Sequence, residues 1–444
     1  SSSVAGRTSS TSSQDWSLDD ETHPDAEPSL EEAPVVIDPK PPVAEADTFG
    51  VRAGALATLP VLLNDHDPNE DVLSIDPTTV TGLDPGFGTL TITDDAQRLA
   101  VQVAPGATGS ATFSYAVTDG TADPGLSSEP TTVTLTVAGV GADSAPQWCG
   151  VEGCLIPWPE PEVSRGGTVT VPVLPAWVDP EGDPLFLLSV SNGSGSGSVA
   201  ATPGGDVVYQ HADSGEGGDQ LIPLDVTVSD TTGQTSTKSL VIRVSAQPKL
   251  SAQSFALVDT IGAGISVDVG SHVTGTTGTM SLESVRVLDD DAATTTVVGG
   301  TTAFDFSPQA PGVYRVGFTV TDGTSQATGT ARITILAADA PAQLATAPVV
   351  AFVHPQQDAT LDVFEVVSNP TRRVLLLSDV VASAADGASL TVDAVGQNHL
   401  RVSGTTATNQ AGRLGTVTYT VSDGTADAGA SVTGEATVYL LPVA

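Results

Sequence analysis

An all-β chain made of small tandem domains is the fold class this sequence predicts, and three observations predict it. The first is a phrase written four times: FSYAVTDGTAD from Phe113, LDVTVSDTTGQ from Leu224, VGFTVTDGTSQ from Val316 and VTYTVSDGTAD from Val417. Each copy alternates large apolar with small polar residues and then breaks at Asp, which is a strand running into a turn. The second is spacing: Asp119, Asp230, Asp322 and Asp423 lie 111, 92 and 101 residues apart, which is the period of a small domain. The third is composition. Among 444 residues only 4% are aromatic, Gly and Pro number 45 and 31, and Val, Thr and Ala carry the apolar load. No stretch keeps helical apolar periodicity for three turns, so the cores are expected to be small and packed between two sheets.

The elements of the first repeat can be read in order. ALATLPVLL (55–63) is a strand, NDHDPNED (64–71) a polar loop and VLSIDPTTV (72–80) a strand. GTLTITDD (88–95) and RLAVQVAP (98–105) form a hairpin, and FSYAVTD (113–119) and TTVTLTV (131–137) follow. With an incoming strand near Ala44 to Val51 this makes about seven short strands in about a hundred residues, the count of an immunoglobulin-like sandwich. The repeat sets boundaries at 42–140, 141–246, 247–338 and 339–444. The expectation is therefore all-β, four tandem immunoglobulin-like β-sandwich domains in an elongated array. Residues 1–41, rich in Ser and Pro with Asp19, Asp20, Glu21, Asp25, Glu27, Glu31 and Glu32, read as a disordered acidic linker.

Charge excludes whole classes of partner. With 15 basic and 53 acidic residues the net charge is −38, a surface that repels phosphate backbones and anionic lipid. No apolar run is long enough to span a membrane, so no insertion is expected within this segment. The chain shows neither an initiating Met nor a signal segment, and both ends read as cuts from a longer, monomeric polypeptide.

Cys149 and Cys154 in WCGVEGC have no other thiol to pair with, and the two Gly between them permit close approach. They read as a local disulfide, pinning one hairpin and implying an oxidising, extracellular setting; a reduced pair is the alternative.

The run PPVAEADTFGVRAGALATLPVLLNDHDPNEDVLSI, followed by SATFSYAVTDG, resembles the bacterial immunoglobulin-like and cadherin-like tandem domains of large surface proteins. The second repeat is similar through PVLPAWVDPEGDPLFLL and LDVTVSD, while the third and fourth keep the closing phrase without the acidic loop. The resemblance implies a sandwich repeat of a secreted or wall-associated protein used for adhesion or spacing, and no catalysis. Localisation at a cell surface or cell wall follows from it.

The loop acids are the one constellation suited to chemistry. In such a sandwich the loop after the second strand and the turn of the repeated phrase share one end, so Asp65, Asp67 and Asp71 should converge on Asp119, with Glu45 and Asp47 close by. Repeat two offers Asp179, Glu181, Asp183 and Asp230, with Asp143 on its incoming side. Calcium takes six to eight oxygens, and these loops supply several. Plain turn chemistry is the competing reading, since Asp-Pro and Asp-Gly make turns without metal. Repeat three has TGTTGTM at the corresponding place and repeat four only Asp379 and Asp386, so no metal is expected there.

Trp148, Trp158 and Trp177 cluster around the disulfide and offer either a patch for a glycan or protein ligand or an edge cover for the sandwich. Lys40, Lys238 and Lys249 are the only lysines, which excludes a Lys–Asn cross-link repeated in every domain. The six His lack metal-binding spacing, and no nucleophile motif occurs, so the chain does not read as an enzyme. A passive stalk, an adhesin and a self-assembling fibre subunit stay open. If calcium stiffens the acidic junctions, its removal is expected to broaden the angle near residues 141–146 and not near 339–344. X-ray scattering with and without chelator checks this, and unchanged dimensions would refute it.

Overall fold

The computed structural model describes residues 38–121, 125–212, 218–262, 264–288, 293–341 and 343–441. The expected linker lies outside them as far as residue 37. Every regular element among the described residues is a strand or a short 3-10 turn.

Each domain is a two-sheet sandwich with one plan. The first long strand runs parallel to the last: Asp47–Val51 beside Thr131–Val137, Glu162–Ser164 beside Thr235–Ser245, Phe255–Thr260 beside Gln326–Leu336, and Val349–Val353 beside Ser431–Leu440. The last strand pairs antiparallel with the strand that carries the repeated phrase, which pairs in turn with the strand following the acidic loop. In domain one that fourth member shrinks to Ser74–Ile75. Three strands, such as Leu56–Leu59, Arg98–Val103 and Gly88–Thr93, make the facing sheet. Before its first long strand each domain also ties its incoming segment to the end of the second strand: Val43 bridges His66, and Gln147–Trp148, Ser251–Ala252 and Ala345–Thr346 pair with Trp177–Val178, Val273–Thr274 and Val367–Ser368. That tie carries each domain's incoming chain to the end where the loop acids sit.

Alternation explains the cores. In the repeated phrase Phe113, Tyr115 and Val117 point inward, as do Leu224, Val226 and Val228, Val316, Phe318 and Val320, and Val417, Tyr419 and Val421. Two aromatic positions are made room for across the strand pair. Phe318 faces Gly329 and Tyr419 faces Gly434, and a Cβ on Gly434 would lie 2.3 Å from the Tyr419 ring.

Contacts extend beyond successive neighbours. Domains one and two share a packed junction, in which Val151 and Ala176 join the core of domain one and Gly50 lies against Pro180 and Gly182. Phe186 of domain two packs edge-on against Phe352 and tilted against Tyr439 of domain four, at 5.4 and 5.3 Å. The strand Ala345–Thr346 abuts Gly88–Thr93, Thr260 donates to the Pro370 carbonyl at 2.6 Å, and the outer sheet face of domain three lies on domain one.

Replacing Gly434 by Ala forces a methyl into the Tyr419 ring, and a loss of about 1 to 3 kcal/mol is expected from overpacking. Denaturant unfolding of the variant checks it, and wild-type stability would show that the ring has room to move.

Candidate metal centres

All four aspartates of the repeated phrase do the same local work with one oxygen. Oδ1 accepts the backbone N–H and the hydroxyl of the Thr two residues on: Thr121, Thr232, Thr324 and Thr425, all at 2.7 to 3.0 Å. This is an Asx turn reinforced by a hydroxyl, and it orients the carboxylate toward the loop that follows the second strand. The other oxygen separates the domains into two classes.

In domain three Asp322 Oδ2 accepts from the backbone and hydroxyl of Thr277, both at 3.1 Å. In domain four Asp423 Oδ2 pairs with Arg373 at 3.0 Å. Burial works against ionisation of Asp322, but the hydrogen bonds from Thr324, Ser325 and Thr277 hold its carboxyl well below the usual range. Asp423 is held low by Thr425 first and by Arg373 as well.

In domains one and two the corresponding atoms, Asp119 Oδ2 and Asp230 Oδ2, are buried with no hydrogen-bond partner. The facing loops are alike. In D-P-x-x-D of domain one, Asp67 Oδ1 accepts from the N–H groups of Asn69 and Asp71 at 2.7 and 3.1 Å. In domain two Asp179 Oδ1 accepts from Glu181 and Asp183, both at 2.9 Å. Again the second oxygens, Asp67 Oδ2 and Asp179 Oδ2, are buried without a partner. Ligand atoms of Asp67, Asp71 and Asp119 come within 4.8 Å of one another, and so do those of Asp143, Asp183 and Asp230. Burial pushes Asp179 up to about 7, with Asp183 and Asp230 adding repulsion.

Three of the eight expected ligands are placed elsewhere than the two three-carboxylate groups. Asp179 sits behind Asp183 as the loop's turn anchor. Glu181 accepts from the backbone and hydroxyl of Ser144 at 3.0 and 2.8 Å and so holds the incoming segment of domain two. Asp65 points into domain one, because the bridge of Val43 to His66 leaves His66 exposed and turns the preceding side chain inward. There Tyr115 donates to Asp65 at 2.9 Å, with Asp47 at 3.2 Å and the Val61 carbonyl at 2.9 Å around the same hydroxyl. Glu45 contributes its N–H to Asp65 at 2.8 Å. Burial and mutual repulsion push Asp47 up to about 7, and burial, aided by the Glu45 charge, pushes Asp65 up to about 6.

Arginines are the residues that the sequence reading missed. Arg52 of domain one grips Asp183 through two bonds of 2.6 and 2.5 Å and lies 4.0 Å from Asp143. Arg315 of domain three pairs with Asp71, and the buried Arg332 donates to the carbonyls of Val72 and Thr118. A basic residue at an outward strand position, as at Arg315 and Arg332, or just past a strand end, as at Arg52, was the available signal in a strongly acidic chain.

Cys149 and Cys154 are bonded, and their loop docks on domain one. Asn64 donates to the Glu152 carbonyl at 3.1 Å, and the Leu155 N–H donates to the Leu63 carbonyl at 2.8 Å, which ties the disulfide loop to the end of the second strand of domain one. The three indoles stand edge-on to one another at 4.6 to 6.3 Å; Trp177 is buried, and Trp158 donates to Ser239 at 2.9 Å beneath the Lys238 ammonium.

Residues 39–137 and 159–243 each match the family model of the bacterial Ig domain. Domains one and two are thus similar to bacterial Ig domains. No curated protein matches the chain. Among solved structures, the chain is similar to Drosophila N-cadherin EC1-4, at 14% identity over 90% of this chain and 100% of that one, with a TM-score of 0.23. It is similar also to the N-terminal four Ig domains of Dscam1 isoform 1.9, at 13% identity over 91% and 100%, with a TM-score of 0.24. An endo-fucoidan hydrolase of glycoside hydrolase family 107 matches at 14% identity over 68% of this chain, with a TM-score of 0.20. The chain spans 45% of the length of that hydrolase.

Asp47 has a carboxyl that is raised in the folded state, to about 7 from 3.8. The folded form binds the proton more tightly than the unfolded chain, so this group stabilises domain one at low pH, and that contribution is lost as pH rises from about 4 to about 7. In chelator, the melting temperature of the first Ig domain is expected to rise from pH 8 to pH 5, and Asp47→Asn to flatten that slope. Calorimetry across this range checks it; an unchanged slope in the variant would show that Asp47 does not hold the proton.

Proposed function

We propose that this chain is a non-catalytic structural segment of a bacterial cell-surface or secreted protein, a row of Ig domains that supports adhesion by spacing other parts, with calcium held at the loop ends of domains one and two. The observation that carries the calcium reading is the fate of one oxygen. Asp322 and Asp423 have their second oxygen satisfied by Thr277 and Arg373, whereas those of Asp119 and Asp230 are buried without a partner. A buried carboxylate oxygen with no donor costs stability, and a divalent cation removes that cost. Asp67, Asp71 and Asp119 offer an all-oxygen set suited to a hard cation, as do Asp143, Asp183 and Asp230 with Asp179 behind them.

The spacer reading is supported by the shared sandwich plan and by the packed junction between domains one and two, where Gly50 and Gly182 allow the backbones to touch. The disulfide at that junction fits an oxidising, extracellular place of work. High acidity keeps such an array soluble and apart from its neighbours.

Calcium is expected to raise the melting temperature of domains one and two, by about 2.7 kcal/mol of stability at a hundredfold excess over Kd. Asp119→Asn and Asp230→Asn should each lose the response of their own domain, while Asp322→Asn should weaken domain three equally with calcium or chelator. Calorimetry of the full chain measures this, and identical traces in calcium and chelator would overturn the reading.

A further inference from the structure

Two arginines of domain three lie beside the acid cluster of domain one. Arg315 and Arg332 face each other on the adjacent antiparallel strands Gly312–Thr321 and Gln326–Leu336. Like charges directly opposite on a sheet repel and cost stability, so this pair needs an anion beside it. The acid loop of domain one provides one. Arg315 Nη1 pairs with Asp71 Oδ1, and Arg332, 2% exposed, donates through Nη1 to the carbonyls of Val72 and Thr118, the chain neighbours of Asp71 and Asp119. Gly120 closes the contact, since a Cβ there would meet Val313 at 2.8 Å and the Arg332 guanidinium at 3.4 Å.

We propose that a divalent cation and the Arg315–Arg332 face of domain three are alternative occupants of the acid cluster formed by Asp67, Asp71 and Asp119. The inference rests on the calcium reading of that cluster. Three carboxylates beside two guanidiniums carry a net charge of only −1, and a calcium ion added to them would leave +1 in a half-buried site. The ion would also draw on Asp71, which Arg315 holds. Calcium therefore releases domain three from domain one, and chelation lets it dock. Domain two is built differently. Its three carboxylates meet a single guanidinium, Arg52 from the neighbouring domain, which takes both oxygens of Asp183, so the set keeps a net charge of −2 that one calcium ion would neutralise with the guanidinium in place.

The full chain is titrated with calcium by isothermal calorimetry, and its dimensions are followed by X-ray scattering in calcium and in chelator. Wild type is expected to expand in calcium, and Arg315→Ala to be expanded already in chelator and to bind calcium at one site more tightly, on the order of tenfold. Arg315→Lys, which keeps the charge, should stay close to wild type and excludes a mere folding defect. Binding in Arg315→Ala with none in wild type also supports the exclusion. Calcium binding in wild type without expansion, and with an affinity unchanged in Arg315→Ala, overturns this inference and leaves the calcium reading standing. Absence of binding in both proteins overturns the two together.

Discussion

A carboxylate has two oxygens, and each aspartate of the repeated phrase commits only one of them to its own turn. The Thr two residues on fixes Oδ1 through N–H and hydroxyl, which sets the tilt of the carboxylate whatever surrounds it. The second oxygen is thereby delivered to the loop after the second strand, and that loop has to answer it. A threonine answers in domain three and an arginine in domain four. Domains one and two answer with more carboxylates, which is a poor solution for protein atoms alone and a good one for a cation.

Much of the fold was legible because it depends on alternation and turn chemistry, both local. Phe113, Tyr115 and Val117 announce an inward face by their spacing, and Asp-x-Thr announces the turn that follows. The pairing of Asp67 with Asp119 was legible for a related reason: two loops at one end of a sandwich must meet. Asp65 was not, since a one-residue change in which side of the chain faces inward decides between loop and core, and the short bridge of Val43 to His66 makes that choice. The roles of Arg52, Arg315 and Arg332 were hidden for a different reason. An outward strand position, as at Arg315 and Arg332, or the residue just past a strand end, as at Arg52, accepts almost any polar residue, so its meaning comes from the neighbour across a domain boundary.

The distribution of basic residues is informative when set beside the acids. With 15 against 53, few arginines are available, and several of them lie between domains. Arg52 joins domain two, Arg315 and Arg332 join domain one, and Arg372 reaches Asp259 of domain three. Each guanidinium meets an acid or a carbonyl that its own domain does not supply. Mutual repulsion, which would otherwise hold such acidic sandwiches apart, is cancelled at these points and left intact over the rest of the surface.

The parallel pairing of first and last strands also has a mechanical meaning. A domain's chain enters at one end of this ladder and leaves at the other, so a pull on the two ends slides the strands past each other along their length. The hydrogen bonds between Asp47–Val51 and Thr131–Val137 are then strained together instead of opening one at a time like a zip. Resistance of that kind is a matter of unfolding rate under load, separate from equilibrium stability. The ladder is five residues long in domain one and three in domain two, so under tension the four sandwiches are unequal links.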